Sequence, residues 1–223
     1  MPDEVWLGAV SDTPAPAIIS SSRSGFIGRV WSVRSDTVEI NGAMVERDQL
    51  IHPGAVVIIA VDDLDRVLLI RQYRHPIAMM MFEPPAGLLD VDGEAAHVTA
   101  ARELAEESGY TAHTWHVLVD FFNSPGGSSE AIRVFLARDL AELPGGRELT
   151  GEAEEAFLPR VWIPLDEAAE LVLDGALGSP SAVVGVLAAK AARARGWETL
   201  RPVDAPWPVR EHLMRERRVH FGA

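Results

Sequence analysis

GLLDVDGEAAHVTAARELAEESGY, residues 87–110, is the stretch whose reading decides the fold. Gly87 is followed after six residues by Glu94, then after seven more by Arg102-Glu103, by Glu106-Glu107 and by Gly109. From Ala95 to Ser108 there is no Pro or Gly and much Ala, Leu, Glu and Arg, so the stretch predicts one helix bounded by Gly93 and Gly109. At about 100° per residue, with Glu103 at zero, Glu107 falls near +40° and Glu106 near −60°, while Leu104, Ala101, Ala105 and Val98 lie at roughly 100° to 220°. The pattern predicts a carboxylate face and, opposite it, a core face. Like charges three or four residues apart repel by about 3 kcal/mol at an effective dielectric of about 20. Shielded from water, such a cluster needs a counter-cation, and hard divalent ions with oxygen ligands suit it, Mg²⁺ first and Mn²⁺ second. A solvated Glu-rich face is the plainer reading of the helix alone. It does not explain Glu94, the glycines at both ends, or the PPAG turn at 84–87 that leads in.

Towards the N-terminus, AVVIIAVD (55–62) is a nearly continuous apolar run, expected of a strand covered on both faces, and RVLLIRQYRH (66–75) is the next strand. Three consecutive methionines, 79–81, read as adaptable core filler. Before these, FIGRVWSVRSDTVEINGAMVERDQL (26–50) alternates apolar and polar residues around Asn41-Gly42, a strong hairpin signal, and predicts about three antiparallel strands. Beyond the helix, 115–122 and 131–138 read as strands joined by NSPGGSSE (123–130), and 160–164 as the last strand. Helices are expected at 166–173 and from Pro180, capped by Ser179, to about 196. The expected division is a flexible extension at 1–23, a small antiparallel β domain at 24–53, a main α/β domain at 54–200 and a tail at 201–223.

The 223 residues, 48% hydrophobic, suffice for a real core. No apolar run reaches membrane-span length and no secretory leader pattern is seen, so no membrane partner is expected. Cysteine is absent, which excludes disulfides and thiol catalysis and agrees with a cytoplasmic enzyme. A net charge of -13 argues against nucleic acid as a partner.

With these residues in view, 87–110 resembles the Nudix box: Gly, five residues, Glu, seven residues, Arg-Glu, an aliphatic, any residue, Glu-Glu, any residue, Gly and an aliphatic. It departs twice, with a first spacer of six residues and with Tyr110 in the closing aliphatic position. The extra residue falls in the 88–93 loop, outside the helical spacing. The resemblance implies a Nudix α/β/α sandwich with a mixed sheet, the box helix on one side and the later helices on the other, plus the N-terminal antiparallel domain. Several further features resemble the bacterial ADP-ribose pyrophosphatases. These are QYRH at 72–75, Phe82-Glu83 with Pro85-Ala86-Gly87, Pro125 sixteen residues beyond Gly109, and Ser129-Glu130. That resemblance implies metal-dependent hydrolysis of ADP-ribose to AMP and ribose 5-phosphate. Glu103, Glu106, Glu107 and the Ala86 carbonyl would be the metal ligands, Glu94 and Arg102 would orient them, and Arg74, Glu83, Pro125, Ser129 and Glu130 would meet the substrate. A glutamate of the 140–159 loop would be the base, Glu155 first and Glu154 second, with Glu107 also in the catalytic set. It further implies a homodimer in which the N-terminal domain completes the adenine pocket. Two other readings stand beside it: a Nudix pyrophosphatase for another substrate such as GDP-mannose or NADH, and a catalytically silent nucleotide sensor. The sensor would be expected to have lost box glutamates, and all are present. A Nudix isomerase would want a cysteine, which the chain lacks.

Overall fold

AVVIIA, Ala55–Ala60, has no polar position, and in the computed structural model all six of its residues are buried. The structure describes residues 5–147 and 158–221, with side chains as far as Met214. The strands are β1 (Ile19–Ile27), β2 (Ser32–Ile40), β3 (Ala43–Ile51), β4 (Ala55–Ala60), β5 (Arg66–Arg74) and β6 (Met79–Glu83). They continue with β7 (Ala86–Leu88), β8 (Tyr110–Phe122), β9 (Ala131–Glu142), β10 (Arg160–Pro164) and β11 (Arg201–Pro202). The helices are α1 (Ala96–Ser108), α2 (Leu165–Leu173), α3 (Pro180–Arg193) and α4 (Pro208–Phe221).

β4 pairs in parallel with β9 and antiparallel with β7 inside a five-stranded mixed sheet ordered β11-β8-β9-β4-β7. Alternate side chains of a strand point to opposite faces, and here each face has its own apolar cover. Val56 and Ile58 join Ala100 and Leu104 of α1, Phe135 and Trp207. Val57 and Ile59 join Leu165 and Ala168 of α2 with Val186 and Ala189 of α3. The box helix and the later helices therefore lie on opposite sides, the expected sandwich. A second sheet, β10-β5-β6, adds the buried run Val67–Ile70. Ala55 pairs with both Ile132 and Leu88, so the loop preceding β9 and the loop after β7 share one end of β4.

Four expectations change. The antiparallel sheet β1-β2-β3, turned at Asn41-Gly42 with both φ angles positive, begins at Ile19, inside the stretch read as flexible extension. Ser20 and Ser21 pair with the backbone or hydroxyl of Thr37, so serine-rich composition here serves a strand. The segment set apart as a tail beyond 200 packs on the main sheet. Arg201–Pro202 pair with β8, and Trp207 is buried against the α1 face of the sheet. Arg133 of β9, itself buried, fastens this segment: it donates to the carbonyls of Ala205 at 2.7 Å and Pro206 at 3.0 Å, forks onto Asp120, and faces the Trp207 ring at 4.6 Å. Met79 and Met80 are not core filler; they are about half exposed, paired with Arg74 and Tyr73 where the β5–β6 ribbon runs out past the core. Among the described residues no helix is long and apolar enough to cross a membrane.

The largest correction concerns α1. Its buried residues are Thr99, Ala100, Glu103, Leu104, Glu107 and Ser108, whereas Val98 is 46% exposed and Ala101 is exposed. Glu103 and Glu107 share the inward face with Leu104; they do not oppose it. Two alanines and one valine offer too little apolar area to turn the helix the other way, and Leu104 decides its orientation. Leu104→Ala should cost about 2–5 kcal/mol in urea unfolding, the usual range for a buried leucine, and Val98→Ala less than about 0.5 kcal/mol. Equal losses at the two positions would mean that the helix is seated differently.

Candidate active site

Two carboxylates on the inward face of a helix need polar company, and β7 supplies it. The Ala86 amide donates to Glu107 Oε2 at 2.9 Å. Gly87 lies directly beneath Glu103, where a Cβ would overlap the carboxylate and its Cγ. Only glycine lets the strand pass this close to the side chain. The β4–β7 ladder holds that backbone in place, with Val57 opposite Ala86 and Val56 opposite Gly87.

Arg102 reaches across the acidic side of the helix. Its Nη1 lies 2.8 Å from Glu103 Oε1 and 2.9 Å from Glu106 Oε2, and its Nη2 lies 3.5 Å from Glu94 Oε2. Burial works against this cation, but Glu103, Glu106 and Glu94 outweigh it and raise its pKa. Glu94 is held below its ordinary 4.5 first by the Thr99 hydroxyl, which donates at 2.7 Å, and then, against the opposing effect of burial, by Arg102. The far end of α1 is gripped as well. Arg147 Nη1 donates to the Glu107 carbonyl at 3.4 Å and Arg160 Nη1 to that of Ser108, placing two cations at the negative end of the helix dipole. Tyr110 packs edge-on against Trp162 and beneath Arg160, so an aromatic ring takes the closing apolar position of the box.

The donors are all oxygen, and two of the carboxylates are nearly buried against main chain, which fits a hard divalent cation. Among the described residues no three carboxylate or imidazole groups converge as they stand. Arg102 Nη1 bridges Glu103 and Glu106 instead, so a bound cation would compete with a guanidinium for these oxygens.

A second cluster lies on the other sheet. Arg74, at the end of β5, donates through Nε to Glu83 Oε2 at 2.7 Å, and Glu83 Oε1 accepts from Ser179 Oγ at 2.7 Å. Glu83 is 6% exposed while the Arg74 side chain is 43% exposed, so a buried carboxylate fixes a cation whose outer edge faces solvent. Ser179, expected to cap α3, makes no side-chain cap bond; its hydroxyl serves Glu83. A third cluster is the 123–130 loop. Pro125 is exposed at its tip, the Ser129 hydroxyl accepts from the His52 amide at 3.0 Å, and Glu130 Oε2 accepts from Asn123 Nδ2 at 2.8 Å. Glu154 and Glu155 lie outside the described residues.

Thr99, Ser179 and His52 were missed by sequence reasoning. Thr99 sits one helical turn into α1 on the side of Glu94, a spacing that could have suggested the bond. Ser179 gave the signal of a helix cap, and nothing local distinguishes the two uses. His52 stood in a strand-breaking His-Pro-Gly, which reads as a turn.

The NUDIX domain family model matches residues 51–182. The chain is 43% identical over 199 residues to an ADP-ribose pyrophosphatase of Mycobacterium tuberculosis, a match covering 89% of this chain and 94% of that one. It is 38% identical over 148 residues to an ADP-ribose pyrophosphatase of Bacillus subtilis, covering 66% and 78%. Among solved structures, an ADP compounds hydrolase superposes with a TM-score of 0.70 at 25% identity, covering 83% of this chain and 99% of that one.

The Thr99–Glu94 bond makes a pH prediction. A depressed carboxyl contributes stability above its unfolded value, near 4.5, and that contribution is lost as pH falls through the lower folded value. Thr99→Val removes the largest lowering cause. Glu94, followed by carboxyl-carbon NMR, should then titrate closer to 4.5, and the variant should lose stability at a higher pH than the parent during acidification. An unchanged titration would assign the shift to Arg102 alone.

Proposed function

This chain belongs to the Nudix hydrolase family, and from that premise we propose that it hydrolyses the pyrophosphate bond of ADP-ribose to AMP and ribose 5-phosphate. The observation that carries the substrate assignment is the match, along nearly the whole chain, to an ADP-ribose pyrophosphatase.

Glu103 and Glu107, with Glu106 and the Ala86 carbonyl, would hold Mg²⁺, or Mn²⁺ in its place, and the ion when bound supplies neutralisation of the pyrophosphate charge and acidification of a water. The chain's own part is positioning and proton transfer. Arg102 orients Glu103 and Glu106, and Glu94, fixed by Thr99, anchors the other side of the guanidinium. Arg74, aimed by Glu83, offers its exposed edge to phosphate or ribose. Pro125, Ser129 and Glu130 border the substrate. Glu155, with Glu154 as second choice, takes the proton of the attacking water. A chain without cysteine suits a cytoplasmic setting for this reaction.

The reaction is tested with ADP-ribose, GDP-mannose, NADH and diadenosine polyphosphates, by AMP release where AMP is the product and otherwise by chromatography. ADP-ribose should lead with Mg²⁺, chelator should abolish release, and Glu107→Gln should lower kcat by about two orders of magnitude or more while its melting temperature stays within a few degrees. If GDP-mannose leads, the metal site stands and the substrate assignment falls. A near-normal Glu107→Gln rate removes the metal role.

The reading includes a homodimer. A three-stranded sheet alone is marginal, and β1-β2-β3 leaves Phe26, Ile27, Ile40 and Met44 exposed, with Trp31 beside them. By register Phe26 and Met44 lie on one face of this sheet and Ile27 and Ile40 on the other, and a second copy wrapping the sheet accounts for both. Sedimentation equilibrium should return twice the 24.2 kDa chain mass, and Phe26→Asp with Trp31→Asp should return the single mass. A monomeric parent protein would overturn this part.

A further inference from the structure

Arg210 is a cation in the first turn of α4, where the helix dipole disfavours positive charge. Among the described residues no carboxylate pairs with it. Its Nη1 donates to the Pro53 carbonyl at 2.6 Å and its guanidinium faces the Trp207 ring at 5.8 Å. Burial, with no opposing charge to offset it, pulls its pKa down. Helix stability does not explain an arginine in this position, and the turn beneath it does.

That turn is His52-Pro53-Gly54. A Cβ on Gly54 would stand 2.8 Å from Arg210 Nη1 and 3.0 Å from the Ala131 carbonyl, and its φ is +90°, so the close approach of the arginine depends on glycine there. The other side of the turn holds the 123–130 loop. The His52 amide donates to Ser129 Oγ at 3.0 Å. His52 Nδ1 accepts the Gly54 amide at 3.1 Å, which leaves Nε2 towards Glu130 Oε1 at 3.7 Å. The end of β3 completes the grip, with the Leu50 amide donating to the Gly127 carbonyl at 2.8 Å and the Ser129 amide to the Leu50 carbonyl at 2.9 Å. A small cleft between α4 and the loop is lined by His52, Gly54, Ser129, Arg210 and Leu213, so both elements border the same turn directly.

We propose that the segment Arg201–Met214 is a strap that sets the position of the 123–130 loop, with Arg210 as a positioning residue acting through the His52-Pro53-Gly54 turn on Ser129 and Glu130. Arg133 and Trp207 fix the strap to the sheet, and Arg210 carries that fixed point to the turn. Its effect on catalysis rests on the reading above that Ser129 and Glu130 border the substrate.

The test uses the full chain and two variants, Arg210→Ala and Arg210→Lys, with two readouts: hydrogen exchange of peptides covering 123–131 and 96–108, and the kcat and KM of whichever substrate leads the panel. Loss of a charge-assisted bond in Arg210→Ala should speed exchange at 127–129 about tenfold and raise KM about tenfold, leaving kcat within about twofold and 96–108 unchanged. Arg210→Lys, which keeps the charge and can reach the carbonyl, should recover part of both effects. Should the alanine variant not fold, the lysine variant alone decides, through a smaller change of the same kind. Unchanged exchange at 127–129 overturns the strap, as does an equal rise in exchange across 96–108, which marks general loosening. Faster exchange at the loop with KM unchanged supports the strap and removes Ser129 and Glu130 from the substrate site.

Discussion

Placing two carboxylates on the buried face of one helix is the constraint from which the arrangement of this molecule follows. Glu103 and Glu107 turn inward because Leu104 does, and the sheet beneath must accept charge where it would otherwise accept hydrocarbon. It does so with main chain: an amide at Ala86 and the bare backbone of Gly87. That in turn requires β7 to be short, paired to β4 and free of side-chain bulk at one position. Arg102 handles the outer oxygens, and Arg147 and Arg160 steady the helix end. Like charges at about 5–6 Å repel by about 3 kcal/mol at an effective dielectric of about 20, and these partners offset that repulsion.

The second cluster shows how the layers communicate. Glu83 on β6 receives Arg74 from the neighbouring strand and Ser179 from the start of α3. A single buried carboxylate thus joins one sheet to the helix layer opposite α1, and the direction in which Arg74 points depends on both. A buried acid with two donors, one of them cationic, meets the usual condition for keeping charge away from water.

Much of this was legible in the sequence, for physical reasons that can be named. An uninterrupted apolar run is what burial on both faces demands, so β4 was visible, and Asn41-Gly42 supports the positive φ angles of a tight hairpin. The spacing of Glu103, Glu106 and Glu107 survives any small change in helix position. What spacing does not contain is the direction in which the helix turns, because a periodic pattern with weak apolar residues on one side and carboxylates on the other leaves Leu104 as arbiter. The methionines misled because residue type was read without strand end, and the serines at 20–22 because composition was read without pairing. Ser179 carries two possible partners, a helix amide or a distant carboxylate, and only the tertiary contact selects between them. Glu154 and Glu155 lie outside the described residues, and their assignment rests on resemblance.

The clasp between Arg133 and the carbonyls of Ala205 and Pro206 joins positions 72 and 73 residues apart. At translation rates of about 5–20 residues per second, β9 leaves the ribosome roughly 4–15 seconds before the residues that cover it. For that interval the sheet face that seats the acidic helix lacks Trp207, and a buried guanidinium lacks two of its acceptors. The nascent chain therefore passes through a stage in which the helix bearing the carboxylates is made but its floor is incomplete, and the segment from Arg201 to Trp207 finishes it.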